Sequence, residues 1–561
     1  MPGTILEDAK ALITEPVSPQ DLDVPFRNPT IVHIRTSKMK TMRNLTITTG
    51  IYKQPREGRI YCTSTGLESD EHDLTFHGGV DKAVHQYCPS HYSSWAADFP
   101  DQRDAFEVGG FGENLVCSGG MNERNVCIGD IYRVGDERDG TVLQVSLPRQ
   151  PCFKLNHRFG IKNFAAQTWK KSRTGWYYRV LHEGWMQAGD QIVLLERKHP
   201  QWTIERVQEY LHRDKTNLEK LEELENINEF GKECKTAFTN LVANAKAARD
   251  GTNKKEPENW EEFDVVEKKM HGNKVAAFVF QKAGEGEEID PGSFVRLKLP
   301  NGLVRSYSVV GGNTHRFQLG ITLDANSRGG SEYLHHNVHQ GDKILVGKIT
   351  SSVPFKGQAS DHIFIAAGIG ITAFLSHMDV YTQINYNWKL HYAVRSTEDT
   401  PFKDLLDKFG DRVVIYNKEK EERMDVLRIL QGRNWNGFVY VCGPQRLIDD
   451  CVRSSNVCGM REDEIHYEAF QIATDGDPFT VELKLSKKTL DVPADKTLLQ
   501  VMREAGLEVD SSCEAGNCGT CRVDVCSGQV EHRGSALSEE DKKEAMLSCV
   551  SRGIKHIVID F

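Results

Sequence analysis

The chain has 561 residues, of which 39% are hydrophobic and 27% are charged, the ordinary balance of a soluble chain of about three to five domains. Its 70 basic and 80 acidic residues give a formal charge of −10, which argues against a nucleic-acid-binding surface. Because no run of about eighteen apolar residues occurs, we expect no membrane-spanning helix. The first residues lack the pattern of a secretory or transit peptide, and 14 cysteines here are typical of reduced thiols and metal ligands. We therefore expect a cytoplasmic protein.

Residues 1–29 contain five prolines and little periodicity, which predicts a mostly disordered lead-in. Between residues 30 and 198 the chain turns to short β-like runs punctuated by Gly and Asp. Gly-Asp pairs precede two of these runs, as β-turns do, and the stretch at 90–97 predicts a helix. Together these patterns predict a β-rich barrel.

Three motifs of this region combine turn-forming and chemically active residues. They are His-Gly-Gly-Val-Asp-Lys-Ala-Val-His at 77–85, Phe-Gly-Glu-Asn-Leu at 111–115 and Pro-Arg-Gln-Pro-Cys at 148–152. In the third motif two prolines stiffen the loop, and Arg149, Lys154 and Arg158 favour the thiolate form of Cys152. A single cysteine is more often a buried small hydrophobe, so the residues alone leave both interpretations open.

Together the three motifs resemble the MOSC domain, and most closely its bacterial branch that reduces N-hydroxylated purines. The resemblance implies a pyranopterin molybdenum cofactor, with Cys152 as the catalytic protein ligand of the metal. It makes Lys82, Arg149 and Arg158 candidates for binding the pterin or its phosphate, while each could equally be a surface charge. His77 and His85 are candidates for a structural or a catalytic role. Binding of pyridoxal phosphate is left open.

Apolar residues at helical spacing predict three helices between residues 199 and 250. The bacterial MOSC branch carries a small three-helix module at this place, so the resemblance extends to it. The polar segment 251–261 is predicted to be a linker.

Strand-like runs resume in residues 262–355, a predicted flavin-binding barrel. One of these runs contains Arg305, Tyr307 and Ser308, in the order Arg-x-Tyr-Ser. The Tyr ring suits an isoalloxazine face and Arg suits a phosphate. A second turn, of Arg328, Gly329, Gly330 and Ser331, precedes a helix start, where backbone amides favour phosphate.

Residues 356–470 alternate strands and helices, which predicts a parallel α/β domain. A strand leads into Gly368, Gly370 and Thr372, a turn that lacks the G-x-G-x-x-G spacing but offers the same close approach to a pyrophosphate. Cys442 and Gly443 end a later strand, where such sheets bind ligands, although Cys442 could be plain core.

The segment 478–561 contains Cys513, Cys518 and Cys521 in the order C-x4-C-x2-C, with Cys549 following. This is the plant-type spacing of a [2Fe-2S] cluster. A zinc site would usually add a second C-x2-C or a His pair, and none follows. Glycines between the cysteines allow the backbone to fold tightly around a cluster.

The order of these motifs across residues 262–561 resembles the phthalate dioxygenase reductase family, despite Ala373 where that family usually has proline. The resemblance implies a β-grasp ferredoxin domain, FMN in preference to FAD, a nicotinamide dinucleotide, and Phe470 beside the flavin. It leaves NADH or NADPH open, because the Arg395-Ser396 pair could meet an adenosine phosphate.

The two resemblances predict a self-sufficient reductase without an obligate external electron-transfer partner. Electrons from NAD(P)H would pass through FMN, needed because it takes two electrons together and releases them singly. They would then pass through [2Fe-2S] to molybdenum and reduce a small N-hydroxylated substrate of the hydroxylaminopurine or amidoxime type. As an alternative, the MOSC domain is a cofactor- or sulfur-binding module and the reductase serves an external oxygenase or other acceptor. Reduction of nitrate- or nitrite-type oxyanions at the same metal is a third possibility.

Overall fold

The structure is a computed structural model that describes residues 22–73, 78–249, 259–324, 329–398, 400–470, 476–507, 509–511, 514–534, 536–538 and 540–561. The chain forms two compact units, Met1–Lys255 with Gly357–Ser360, and Glu256–Lys356 with Asp361–Phe561. Within the described residues no helix has the length and apolar character needed to cross a lipid bilayer. The expectations for residues 1–21 and 251–258, and for His77, Arg328 and Cys513, lie outside the described residues.

An eight-stranded sheet is the frame of the first unit, as the Gly- and Asp-punctuated β runs predict. Its strands follow the order Ile192–Glu196, Ile131–Val134, Thr141–Pro148, Trp176–His182, Val84–Gln86, Leu115–Cys117, Ile31–Thr36 and Gln54–Arg56. A bridge between Thr30 and Gln191 connects the seventh of these strands back to the first. The sheet therefore closes into the predicted barrel. Short strands make two smaller sheets: Ile60–Thr63 with Gly66–Leu67 and Gly184–Met186, and Lys40–Thr41 with Thr48–Thr49.

The helices of the first unit fall into two groups. The first group lies between barrel strands in the chain and consists of His91–Asp98, Phe153–Phe159 and Phe164–Lys170. The second group follows the last barrel strand and consists of Ile204–Gln208, Leu218–Glu225 and Lys232–Arg249. Val207 and Leu221 of the second group, and Trp202 just before it, are fully buried in one core with Val145 and Leu147 of the barrel. The helical module and the barrel therefore share a single hydrophobic core. Before the barrel, the backbone N–H of Arg27 donates to the carbonyl of Gly119 at 2.9 Å, so residues 22–29 also lie against it.

The second unit begins with a closed six-stranded antiparallel barrel. Its strands follow the order Val304–Asn313, Arg316–Thr322, Val275–Gln281, Glu261–His271, Lys343–Val346 and Ser293–Lys298, and the last pairs with the first. The short strand Thr350–Ser351 extends the barrel. The helix Gly330–Asn337 follows the strand Arg316–Thr322 in the chain. Phe263, Phe278 and Phe317 fill the core. This is the barrel predicted for the flavin.

A parallel five-stranded sheet follows, ordered Val413–Asn417, Trp388–Val394, Asp361–Ala367, Gly437–Cys442 and Ile465–Glu468. The helices Leu375–Gln383, Lys403–Leu406, Val426–Gln431 and Gln445–Val457 connect its strands. The strand order reverses between Asp361–Ala367 and Gly437–Cys442. In open α/β sheets, ligands bind outside the carboxyl ends of the strands at such a reversal.

The chain ends in a β-grasp domain of five strands and one helix. The strands follow the order Lys488–Val492, Phe479–Leu483, Arg552–Ile559, Arg522–Glu531 and Ala545–Leu547, and the helix is Leu498–Glu504. Thr497 and Gln500 form a capping box that fixes the start of this helix. The guanidinium of Arg552, 2% exposed, donates to the carbonyls of Asp477, Pro493 and Lys496 at 2.9–3.0 Å. One buried cation thus connects two loops, the one that precedes the strand Phe479–Leu483 and the one between the strand Lys488–Val492 and the helix Leu498–Glu504.

We predict that Arg552→Met destabilises this domain by about 3 kcal/mol or more, because the substitution strands three buried carbonyls without their donors. Denaturant unfolding followed by cluster absorbance measures the change. As a control, Lys496→Met removes only an exposed ion pair with Glu504 and should leave the midpoint unchanged. An unchanged midpoint in the Arg552 variant would show that the buried guanidinium has no structural role.

Candidate functional site

The first unit contains a small, partly open cavity of about 50 Å³, lined by residues from the barrel and from the loops at its end. Cys152 lies in its wall, half-buried, as the residue that begins the helix Phe153–Phe159. The preceding strand ends at Pro148, so the Pro-Arg-Gln-Pro-Cys motif is a short link between a strand and a helix. This link fixes Cys152 at the cavity edge.

Four cationic side chains line the same cavity. They are Lys53, Lys82, Arg149 and Lys154. Lys53 pairs with the wholly buried carboxylate of Asp70 at 2.5 Å, and burial lowers the pKa of its ammonium. Lys154 pairs with Asp73 at 2.6 Å, and Lys82 pairs with Glu233. Three of the four cations therefore have a carboxylate partner within the protein.

Arg149 differs from the other cations of the cavity. It is 5% exposed, and neither its Nε nor its Nη1 makes a hydrogen bond with the described part of the chain. Its Cζ lies 5.8 Å from the ring centroid of Phe111. Burial raises the pKa of the neighbouring Tyr177, and the positive charge of Arg149 opposes that rise. A buried guanidinium with two unsatisfied donors fits an anionic ligand such as a phosphate.

The structure brings most of the predicted residues of this unit together. Cys152, Lys82, Arg149 and His85 all line the cavity. Arg158 is not among the lining residues, because its guanidinium lies over the ring of Tyr52, 4.9 Å from the centroid. Its role in cofactor binding stays a prediction.

Sequence reasoning missed several residues of the cavity wall, namely Lys53, His72, Asn114 and Tyr177. Asn114 belongs to a quoted motif but was given no role, and its Nδ2 donates to Asp70 at 2.7 Å. His72 Nδ1 lies 3.5 Å from the same carboxylate. No local pattern marked these residues, because the contacts of Lys53 and Asn114 with Asp70 form only in the folded barrel.

In the second unit, the predicted flavin residues lie on the strand Val304–Asn313 and the helix start beside it. Tyr307 is half-buried, and burial raises the pKa of its hydroxyl. Gly329 has a φ of +83°, which glycine adopts without strain. A Cβ on Gly330 would lie 2.7 Å from Cγ of Arg305. The missing side chain therefore lets Arg305 lie across the start of the helix Gly330–Asn337. A cation beside the first backbone N–H groups of a helix suits a phosphate.

Two further flavin candidates, Ser308 and Ser331, lie on this strand and this helix respectively. Phe470 follows the strand Ile465–Glu468 and is 38% exposed, which leaves its ring available to a planar ligand.

The predicted nicotinamide turn lies at the reversal of the parallel sheet. Gly368, Gly370 and Thr372 belong to the 3-10 helix Gly368–Ala373, directly after the strand Asp361–Ala367. A Cβ on Gly370 would collide with the carbonyl oxygen of Cys442, at the end of the neighbouring strand. The ends of the strands Asp361–Ala367 and Gly437–Cys442 therefore approach each other with no side chain between them, which leaves room for a pyrophosphate.

Cys442 and Gly443 form the other half of this turn. The thiol of Cys442 is completely buried, and burial raises its pKa well above the ordinary value. Gly443 packs against Ala367 of the adjacent strand. The end of this strand is therefore formed by backbone and by an uncharged, buried thiol.

Three of the four predicted cluster ligands are described, and two of them, Cys521 and Cys549, lie in contact. The Sγ atoms of Cys521 and Cys549 lie 3.0 Å apart, and the side-chain hydrogen bond between them lowers the pKa of Cys521. Cys518 Sγ lies 3.3 Å from the hydroxyl of Thr520. Gly516 and Gly519 have φ values of +74° and +76°. Buried, closely spaced sulfurs on a glycine-rich turn fit a small iron–sulfur cluster.

Comparison with known families agrees with this geometry. Residues 73–193 match the MOSC domain family, and residues 481–552 match the 2Fe-2S iron-sulfur cluster binding domain family. The first match contains Lys82, Arg149 and Cys152, and the second contains all four predicted cluster cysteines.

Similar proteins cover the rest of the chain. A protein named reductase from Gibberella moniliformis is 35% identical over 536 residues, 92% of each chain. The heme-dependent oxidative N-demethylase beta subunit of Ectopseudomonas mendocina is 37% identical and covers 47% of this chain and 85% of its own length. The phthalate 4,5-dioxygenase oxygenase reductase subunit of Pseudomonas putida is 32% identical, covering 48% and 86%.

The likeness to the Gibberella moniliformis protein extends over nearly the whole of both chains. The chain therefore belongs to the family of that reductase, as an NAD(P)H-dependent oxidoreductase that joins a MOSC domain to a flavin and [2Fe-2S] reductase of the phthalate dioxygenase reductase type.

Proposed function

We propose that this protein is a self-sufficient reductase of N-hydroxylated compounds, with its substrate site at a molybdenum cofactor in the MOSC cavity. The balanced reaction is R–NHOH + NADH + H⁺ → R–NH₂ + NAD⁺ + H₂O, or the same with NADPH. When bound, the cofactor would supply a metal that exchanges electrons and accepts an oxygen ligand. One observation carries the proposal: Cys152 and the unsatisfied, buried Arg149 line one cavity.

Different residues of the cavity would bind different parts of the cofactor. Cys152 supplies a soft sulfur donor for the metal. Arg149 and Lys82 supply positive charge for an anionic phosphate on the cofactor. Ile51 and Phe111 add apolar wall, against which a flat heteroaromatic ring can pack.

The residues of the second unit support the electron supply. Gly368, Gly370 and Cys442 would hold the nicotinamide dinucleotide, and Arg305 and Tyr307 would hold FMN. Because both modules belong to one chain, the donor stays at high effective concentration near the acceptor, and no partner has to diffuse to it.

We predict that Cys152→Ser abolishes NADH-dependent reduction of hydroxylaminopurine or an amidoxime, because serine removes the soft sulfur donor. Bound molybdenum should fall with the activity. Reduction of ferricyanide by NADH, and the iron and flavin contents, should stay unchanged because they depend on the second unit.

Cys88→Ser is the matched control, since the thiol of Cys88 already lies 3.1 Å from the hydroxyl of Ser90 and serine can keep that hydrogen bond. Substrate reduction that survives in the Cys152 variant at the level of this control would contradict the proposed role of Cys152.

We predict that Arg149→Met lowers the retained molybdenum and pterin phosphate about tenfold or more, because an anionic group loses a buried, charged donor. Metal analysis after gel filtration measures the loss. Arg59→Met removes an exposed ion pair with Asp139 and should retain the cofactor. Equal retention in both variants would show that Arg149 does not bind the anion.

A second candidate function is electron delivery to an external oxygenase or other acceptor. It is favoured by relatives that are reductase subunits of phthalate 4,5-dioxygenase and carnitine monooxygenase. In that case an N-hydroxylated substrate would not accelerate NADH oxidation by the purified chain. Acceleration that needs no added protein supports the first candidate.

A further inference from the structure

The turn that carries the cluster cysteines is held at two points by other parts of the second unit. We call the described residues 509–511 and 514–521 the cluster loop. Ser511 lies before the ligand turn, and Asn517 directly precedes Cys518. Each makes a hydrogen bond outside the β-grasp domain, one to the flavin barrel and the other to the nicotinamide domain.

The first tie comes from the flavin barrel. Nη1 of Arg296 donates to the carbonyl of Ser511 at 3.1 Å. Arg296 lies on the strand Ser293–Lys298, in register with Ser306, one position before Tyr307. The guanidinium also lies over the ring of Trp260, 5.6 Å from its centroid. A residue paired with the flavin-binding strand thus contacts the backbone beside the cluster.

The second tie comes from the last strand of the parallel sheet. Nδ2 of Asn517 donates to the carbonyl of Ala469 at 2.9 Å and to Oε2 of Glu468 at 3.2 Å. Glu468 is buried and pairs with His466 at 3.1 Å through its other oxygen. It also lies in register with Cys442, at the edge of the nicotinamide site. The cluster loop is therefore hydrogen-bonded to the end of the strand Ile465–Glu468. This strand ends beside Cys442 of the proposed nicotinamide site and just before Phe470, the predicted flavin residue.

The cluster loop also makes hydrogen bonds within the β-grasp domain itself. Arg503, on the helix Leu498–Glu504, donates to Oε1 of Glu514 at 2.8 Å and also bonds Ser511. The Ser511 hydroxyl donates to the same Glu514 oxygen at 3.1 Å. These hydrogen bonds connect Ser511 and Glu514 to the helix Leu498–Glu504, so the two outer contacts act on a segment that the β-grasp domain already holds.

We propose that Arg296 and Asn517 are positioning residues that hold the cluster against the flavin barrel and thereby set the rate of electron transfer from flavin to cluster. A hydride from NADH brings two electrons and one proton. The cluster takes one electron, passes it to a one-electron acceptor such as ferricyanide, and then takes the second, while the proton leaves to solvent. Each of those steps depends on the separation that the two ties maintain. The inference concerns the reductase alone and stands independently of the molybdenum proposal.

Rapid mixing of the oxidised holoenzyme with NADH, without oxygen, tests the proposal in Arg296→Met, Asn517→Ala and the double variant. We expect flavin reduction to keep its wild-type rate. Cluster reduction should slow roughly three- to tenfold in each single variant, the factor by which losing one hydrogen bond shifts a docking equilibrium, and further in the double variant. Arg316→Met, on the same barrel but paired with Gln281, is the matched control.

Hydrogen exchange of the oxidised, resting protein supplies a readout apart from turnover. Backbone amides of residues 514–517 should exchange faster in both single variants and not in the control. If Asn517→Ala loses iron, Arg296→Met decides the matter, because Arg296 lies outside the β-grasp domain. Wild-type cluster reduction in Arg296→Met, or an equal slowing of flavin and cluster reduction, would overturn the proposal.

Discussion

The burial of positive charge around one cavity is the constraint on which the first unit depends. Removing a cation from water is costly unless a partner or a ligand compensates it. Asp70 and Asp73 compensate Lys53 and Lys154 inside the protein. Arg149 has no such carboxylate among its described hydrogen bonds, two of its nitrogens are buried without a hydrogen bond, and it lines the same cavity as Cys152. A cofactor that combines a thiophilic metal with a phosphate would bind the sulfur of Cys152 and compensate the charge of Arg149.

The second unit depends on a different constraint, the close approach of backbone to ligand. Gly330 leaves space that Arg305 occupies, and Gly370 meets the backbone of Cys442 where two parallel strands end. At Gly534, a Cβ would lie 2.6 Å from the carbonyl of Gly516, beside the cluster cysteines. In all three places a side chain would displace a segment that the site needs. Glycine therefore permits the close approach at each of these three turns.

Local patterns predicted the elements of the fold and the turns that carry chemistry. The glycine turn at Gly368 and the cysteine spacing around Cys521 each depend on a few consecutive residues, which sequence displays directly. Lys53 was missed because its role follows from a pairing with Asp70, 17 residues away, that only the closed barrel creates. Arg296 was missed because its contact with Ser511 spans 215 residues. Arg158 lies in the helix Phe153–Phe159, which was not predicted from the sequence, and its guanidinium lies over the ring of Tyr52, away from the cavity lining.

The central claim is that electrons from the nicotinamide reach a metal held by Cys152. The most direct measurement is an anaerobic titration of the cofactor-loaded protein with NADH, followed by electron paramagnetic resonance of the cluster and of molybdenum. The account predicts that both signals develop, and that an N-hydroxylated substrate then returns both centres to the oxidised state. A cluster that is reduced and reoxidised while molybdenum keeps its oxidised state throughout would contradict it.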